Sequence, residues 1–207
     1  MLLYLLNNLL GRGAFHEVID CLVTALEAKD AYTGGHSSKV AEMSYDLAKT
    51  MGLKGIALED VHMAAHLHDI GKISIPESIL NKKEKLLPKE WKLIELHSEM
   101  GFNILNKSKG LKNIAQIVLC HHERWDGNGY PLGIKGDKIP LGSRIIAVAD
   151  SIDAMTSDRP YRAAMKWDQC KEEIQKNKAL QFDPIVVDAA DKLWERWIKQ
   201  SQIVEVI

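Results

Sequence analysis

The stretch ALEDVHMAAHLHDIGKISIP, residues 57–76, decides how the rest of the chain is read. Leu58, Val61, Ala65 and His68 follow one another at steps of three, four and three, which puts them on one face of a helix. The spacing predicts a helix from Glu59 to His68, closed by a turn at Gly71, with Pro76 opening a short segment beyond it. The apolar stripe ends in an imidazole, and an aspartate follows it at once. A core-facing helix that finishes on His68-Asp69 points to buried chemistry at its end.

The same helical period extends in both directions. Upstream, residues 14–30 carry Val18, Cys21, Leu22, Ala25 and Leu26 on one stripe, Gly34-Gly35 interrupts, and a second helix runs over 36–51 to stop at Gly52. Downstream, Pro88 suits a first helical turn and opens a long helix to residue 107, with another over 111–122. Residues 123–139 hold Gly127, Gly129, Pro131, Gly133 and Gly136 and read as an ordered loop. Pro140 begins a helix to 156, and two more occupy 166–178 and 184–205. No stretch alternates long enough to demand a sheet. The fold class expected is all-α: one compact helical domain over 14–207 with an ordered Gly/Pro-rich loop.

Composition narrows the function classes. A chain of 207 residues can bury roughly 70% of its unfolded surface, so a full core is available. A net charge of -1 provides no basic excess for gripping a duplex, so nucleic-acid duplexes are not expected partners. Cys21, Cys120 and Cys170 are far apart and form no CxxC, the pattern of a reduced, cytoplasmic chain. Cys120 precedes His121 but reads as a buried side chain rather than a ligand. The opening MLLYLLNNLL is too short to span a bilayer and lacks the flanks of a signal peptide, so no membrane span is expected. Residues 1–13 read instead as an apolar segment, either an amphipathic turn packed on the body or the stump of a linker helix from an upstream domain.

Five histidines fall in line with apolar residues. His36 continues the stripe of Val40, Met43 and Leu47; His68 ends the stripe described above; His97 follows Leu93 and Ile94. His121 and His122 follow Ile114, Ile117 and Val118. A single inward histidine is ordinarily a satisfied core residue, but each buried imidazole needs polar partners, and five need many. Asp69 and Asp150 lie near inward positions too. Neutral imidazoles and carboxylates sharing cations solve that problem together, and such mixed donors suit Fe, Mn, Zn or Ni better than Mg or Ca. His16, His62 and His66 receive the plainer reading. His62 and His66 stand one turn apart and can pair on a metal, but they face away from the His68 stripe.

At this point the motifs resemble a known family. AKDAYTGGHS at 28–37, HDIGKISIPESILNK at 68–82, ELHSEMG at 95–101, HHERWDGNGYP at 121–131, IPLGSRIIAVADSIDAMTSDRPYR at 139–162 and QFDP at 181–184 are similar to the HD-GYP domains, a branch of the HD phosphohydrolases. The resemblance covers nearly everything from residue 20 to 190. It implies a mostly helical domain that hydrolyses the bacterial second messenger cyclic di-GMP with two divalent ions. Fe or Mn come first among these, with Zn, Ni and Mg as alternatives. It also implies that His36, His68, Asp69 and Asp150 hold one ion, that His97, His121 and His122 hold the other, and that Asp69 bridges both. Lys72 matches the lysine that contacts the scissile phosphate, and Tyr130, Arg159 and Arg162 would line the substrate side. Some members hold a third ion through a glutamate four residues before the first ligand histidine. Tyr32 stands there in this chain, which favours two, with Glu27 and Asp30 as the nearby acids.

The chemistry agrees with that assignment. A carboxylate between two cations is the arrangement that grips a bridging hydroxide and a phosphoryl oxygen, and Lys72 adds charge for the transition state. Asp153, one turn after Asp150, is expected to orient Lys72 or a water. Trp125 and Tyr130 read as loop anchors or as a stacking surface, and Glu123 as a brace for the loop. Opening cyclic di-GMP to linear pGpG, and on to GMP, is the leading expectation. The alternatives are a phosphodiesterase for another cyclic dinucleotide and a non-catalytic protein-binding module that keeps the fold. The resemblance also implies an upstream sensory or receiver domain, or a dimer partner.

Overall fold

Glycines, prolines and histidines set where the chain stops being helical, and the elements follow from those stops. The computed structural model describes residues 11–30, 35–158 and 163–204. Most of the apolar start, Tyr32, Arg159 and Arg162 lie outside them. The described helices are α1 (Gly11–Glu27), α2 (His36–Thr50), α3 (Gly55–Leu67), α4 (Glu77–Leu80), α5 (Pro88–Glu95) and α6 (His97–Leu105). They continue with α7 (Lys112–Leu119), α8 (Leu141–Thr156), α9 (Trp167–Lys176), α10 (Pro184–Asp191) and α11 (Trp194–Val204). Tight 3-10 turns occupy Ile70–Ser74, Lys109–Leu111 and Gly136–Lys138. No sheet forms among the described residues, and an isolated bridge joins Lys178 to Phe182. The domain is almost entirely helical, as expected.

The centre of the fold is the packing of α2 on α3, closed by α8. Ala41 and Ala48 of α2 and Ala64 and Ala65 of α3 are wholly buried, so small side chains face one another there. Val40, Leu47, Ile145, Ile146, Val148 and Ile152 fill the space around them with no exposure. Burying side chains of this size contributes about 1.5–3 kcal/mol each, which holds the helix ends that carry the histidines in fixed register.

Four details depart from the periodicity. The expected helix over 88–107 is interrupted at Leu96, where the Ile94 carbonyl accepts the Nδ1 hydrogen of His97 at 2.7 Å. The helix expected to reach 122 stops at Leu119, and the one over 184–205 divides after Asp191. The fourth concerns the face of α1. Ile19, Val23 and Leu26 are buried, whereas Val18 and Leu22 are 44% and 52% exposed and Cys21 is exposed as well. Two apolar stripes run side by side on α1, and spacing alone does not choose between them. The choice is made just past its end: Lys29 Nζ donates to the carbonyls of Ile73 at 2.6 Å and Ile75 at 2.7 Å, and Asp30 is buried.

Candidate metal centre

Three helices end on a histidine that caps them. His68 follows α3, His97 follows α5 and His121 lies just past α7. Each donates from Nδ1 to the carbonyl three residues back: His68 to Ala65 at 2.7 Å, His97 to Ile94 at 2.7 Å, His121 to Val118 at 2.6 Å. The last carbonyls of a helix lack partners inside it, so the imidazole fills that need. The same bond fixes the tautomer and leaves Nε2 as a bare lone pair. Three helix C-termini, each carrying partial negative charge, meet at one place.

The Nε2 atoms converge. His97 Nε2 and His121 Nε2 stand 3.2 Å apart, and both rings have already committed Nδ1 as donor. Two lone pairs at that distance repel unless a cation lies between them. Bond lengths of about 2.1 Å to one ion put cis nitrogens about 3.0–3.4 Å apart, so the separation fits a shared metal. His122 stacks beside them, with ring centroids 4.0 Å from His121 and 4.9 Å from His97. Burial, then the neighbouring His97, pushes His122 down to about 3, and burial likewise depresses His97 and, more strongly, His121. These rings are neutral, the form that binds metals.

Asp69 reaches both halves of the cluster. Its Oδ2 lies 3.4 Å from His68 Nε2 and its Oδ1 lies 3.5 Å from His97 Nε2. Lys72 Nζ sits 2.7 Å from Asp69 Oδ2 and 3.4 Å from Asp30 Oδ2. Burial opposes the charge on Asp69, but Lys72 and the histidines outweigh it and hold the carboxyl well below its usual range. Burial lowers Lys72 less than Asp69 and Asp30 raise it.

His36, the first residue of α2, lies between two acids of α8. Its Nε2 is 3.3 Å from Asp150 Oδ1, and its Nδ1 donates to Asp153 Oδ2 at 2.6 Å. Burial disfavours its charged form, yet the bonds to Asp150 and Asp153 raise it to about 10. Burial opposes ionisation of Asp150 too, and the bond from His36 overcomes it. Asp30, Asp69, Asp150 and Asp153 thus gather around Lys72 and His36, a carboxylate excess that suits added cations. His36, His68 and Asp69 form one group with ligand-capable atoms within 4.8 Å of one another; His97, His121 and His122 form a second.

All seven residues expected as ligands are therefore brought together. Of the two tasks expected of Asp153, orienting Lys72 or a water, the first falls to Asp69 and Asp30, which flank Lys72, while Asp153 fixes the ring of His36. One turn beyond Asp150 on α8, it faces the start of α2 rather than the 3-10 turn that carries Lys72. Of the two other acids, Glu27 is used elsewhere, accepting from the Gly35 and Ser37 amides at the start of α2. Asp30, only 4% exposed, does approach the centre, through Lys72. It continues the buried stripe of Ile19, Val23 and Leu26.

The segment after His122 is fastened at several points. The buried carboxylate of Glu123 accepts from the Leu132 amide at 2.6 Å, as expected of a brace, and Tyr130 N donates to the His122 carbonyl at 3.3 Å. The Tyr130 ring lies 4.8 Å from that of His122, and burial raises its hydroxyl well above the ordinary phenol range. Trp125 N and Asp126 N donate to the carbonyls of Gln181 and Leu180, and Arg144 covers the Trp125 ring at 5.6 Å. Arg144 also binds Asp183 at 2.6 Å, so the QFDP residues serve to anchor this segment.

A helical domain with a buried centre of histidines and aspartates able to coordinate metal is a recognisable class. The chain belongs to the HD domain family, whose model matches residues 20–186. Within it, the chain is closely related by sequence to HD-GYP-type cyclic-dinucleotide phosphodiesterases. It is 41% identical over 179 residues to a cyclic di-GMP phosphodiesterase of Thermotoga maritima, covering 86% of this chain and 49% of that protein. It is 39% identical over 189 residues to the 3'3'-cGAMP-specific phosphodiesterase 2 of Vibrio cholerae, covering 90% and 36%. The chain thus spans half or less of these relatives. Solved structures share the fold. The HD domain of the L. monocytogenes phosphodiesterase PgpH matches with a TM-score of 0.64 at 20% identity, over 87% of this chain and 98% of that one. A cyclic GMP-AMP-specific phosphodiesterase of V. cholerae matches with a TM-score of 0.68 at 21% identity, over 86% and 48%.

Proposed function

We propose that this chain is a metal-dependent phosphodiesterase that opens cyclic di-GMP to linear pGpG and can continue to GMP. The observation that carries the reading is Asp69, with one carboxylate oxygen toward His68 Nε2 and the other toward His97 Nε2, two ring nitrogens left bare because each Nδ1 is spent on a carbonyl. His36, His68, Asp69 and Asp150 would hold one divalent ion, and His97, His121, His122 and Asp69 a second. Fe or Mn suit this donor mixture. When bound, such ions acidify water and neutralise phosphoryl oxygen charge.

The chain's own groups do the rest. The carbonyl bonds of His68, His97 and His121 hold three rings in one tautomer, and Asp153 does the same for His36. Lys72 is kept charged beside Asp69, placed to meet the oxygen of a scissile phosphate. We read residues 123–139 as the ordered loop that frames the site, with Tyr130 beside His122 as the substrate contact. Arg159 and Arg162 are proposed to hold the part of the ligand that does not react.

A second reading, hydrolysis of 3'3'-cGAMP, is favoured by the name of the Vibrio relative at 39% identity. Both are tested together by incubating the Mn- or Fe-loaded chain with each dinucleotide and separating products by chromatography. Linear dinucleotide from cyclic di-GMP, lost in Asp69→Ala, is the expected result. Turnover of 3'3'-cGAMP alone would move the assignment to the second reading, and no turnover of either would remove the enzyme reading.

A further inference from the structure

A third trio of imidazoles lies apart from the centre described above. His62 and His66 stand one turn apart on α3, and His66 precedes His68 by two residues, which turns it to nearly the opposite side of the helix. His16 joins them from α1. Ring centroids lie 5.4 Å apart for His16 and His62, 4.8 Å for His62 and His66, and 6.4 Å for His16 and His66. One ligand-capable atom from each lies within 4.8 Å of the others. Zinc–nitrogen bonds of about 2.1 Å in a tetrahedron need nitrogens about 3.4 Å apart. The 31% exposed side chain of His16 has room to adjust to that spacing.

A second observation points to a ligand. His66 is only 10% exposed, and its Nδ1 is buried with no hydrogen-bond partner among the described residues. His68, His97 and His121 all satisfy that nitrogen with a backbone carbonyl. An orphaned buried nitrogen is costly, and here it is directed toward α1, where Asp20 Oδ1 lies 3.8 Å away. Glu59 Oε2 stands equally 3.8 Å from His16 Nε2. Both separations are too long for hydrogen bonds and close to the spacing of two donors on one ion.

We propose that His16, His62 and His66 form a separate site for a first-row divalent ion of the zinc class, its shell completed by Asp20, Glu59 or water. The ion would tie α1 to α3. These two elements frame the central site: α3 ends at His68-Asp69, and α1 leads to Lys29 and Asp30, which hold the Lys72 turn.

Zinc per chain, counted by elemental analysis after equilibrium dialysis of the full chain, tests this without substrate. The result therefore stands apart from whether the chain hydrolyses a cyclic dinucleotide. His62→Gln and His16→Gln are each expected to bind one equivalent fewer than the unaltered chain. In an Asp69→Ala/His121→Ala background, about one equivalent should remain and should vanish when His62→Gln is added. Should that triple variant fail to fold by circular dichroism, His16→Gln alone carries the test, because it alters a partly exposed residue of α1. Unchanged zinc in the folded histidine variants would overturn the site.

Discussion

Asp69 and Lys72 lie three residues apart and have opposite tasks, which makes them separable by measurement. Asp69 faces both histidine groups, so Asp69→Ala should deplete both ions, whereas His97→Ala should empty mainly the side it shares with His121 and His122. Metal content of the two purified variants checks this, and equal loss of both ions in each would refute two subsites. Lys72 is bonded to Asp69 but belongs to neither histidine group. Lys72→Ala should leave metal content nearly intact while turnover falls by two to three decades, the loss of about 3–4 kcal/mol of transition-state stabilisation. Steady-state kinetics with metal analysis on the same samples reads it; a wild-type kcat would make Lys72 a structural ion-pair partner only.

Among the elements, the contact between the 3-10 turn and α6 decides whether His97 reaches Asp69. A Cβ at Gly71 would lie 1.9 Å from the His97 carbonyl oxygen and 2.6 Å from the Gly101 amide, both backbone atoms that cannot step aside. Gly71→Ala should therefore push α6 outward, costing about 1–3 kcal/mol and loosening the His97 side of the centre. Thermal unfolding should shift down by about 5 °C for a chain of this size, with metal content reduced. Gly110→Ala, whose Cβ would find nothing nearer than 3.9 Å, is the control expected to stay within about 0.5 kcal/mol. Gly129 belongs to the same kind: its Cβ would meet the His122 carbonyl oxygen at 2.5 Å. The glycine there answers to a close approach, and its neighbour Gly127 to a φ of 87°.

For the molecule as a whole, the central cluster joins α2, α3, α8 and the ends of α5 and α7, so its occupancy is linked to global stability. An ion that binds only the folded chain at about 100 times its Kd adds about 2.7 kcal/mol. For a domain of this length that corresponds to about 5–10 °C in Tm. Calorimetry before and after chelation, and again after Mn or Fe is restored, should show a fall and a recovery of that order. A Tm unmoved by chelation and reloading would mean that the cluster binds no ion in the folded state.

The helical class, the inward histidines and the acids beside them could be read from the sequence, because a stripe at steps of three and four already states which side chains share a face. His68 after Leu58, Val61 and Ala65 is the clearest case. Which of two adjacent stripes faces inward on α1 could not be read this way, since Val18 and Ile19 are both apolar and the choice rests on Lys29 reaching carbonyls more than forty residues away. The partner of Asp153 was equally hidden: His36 is 117 positions earlier, and only the packing of α2 against α8 makes them neighbours. At the helix stops near Leu96 and Leu119 imidazoles take backbone carbonyls, a pairing that residue spacing does not record. Local periodicity thus determined the elements and the inward donors. Long-range packing determined which atom of each donor faces which, because that depends on contacts between segments far apart in the chain.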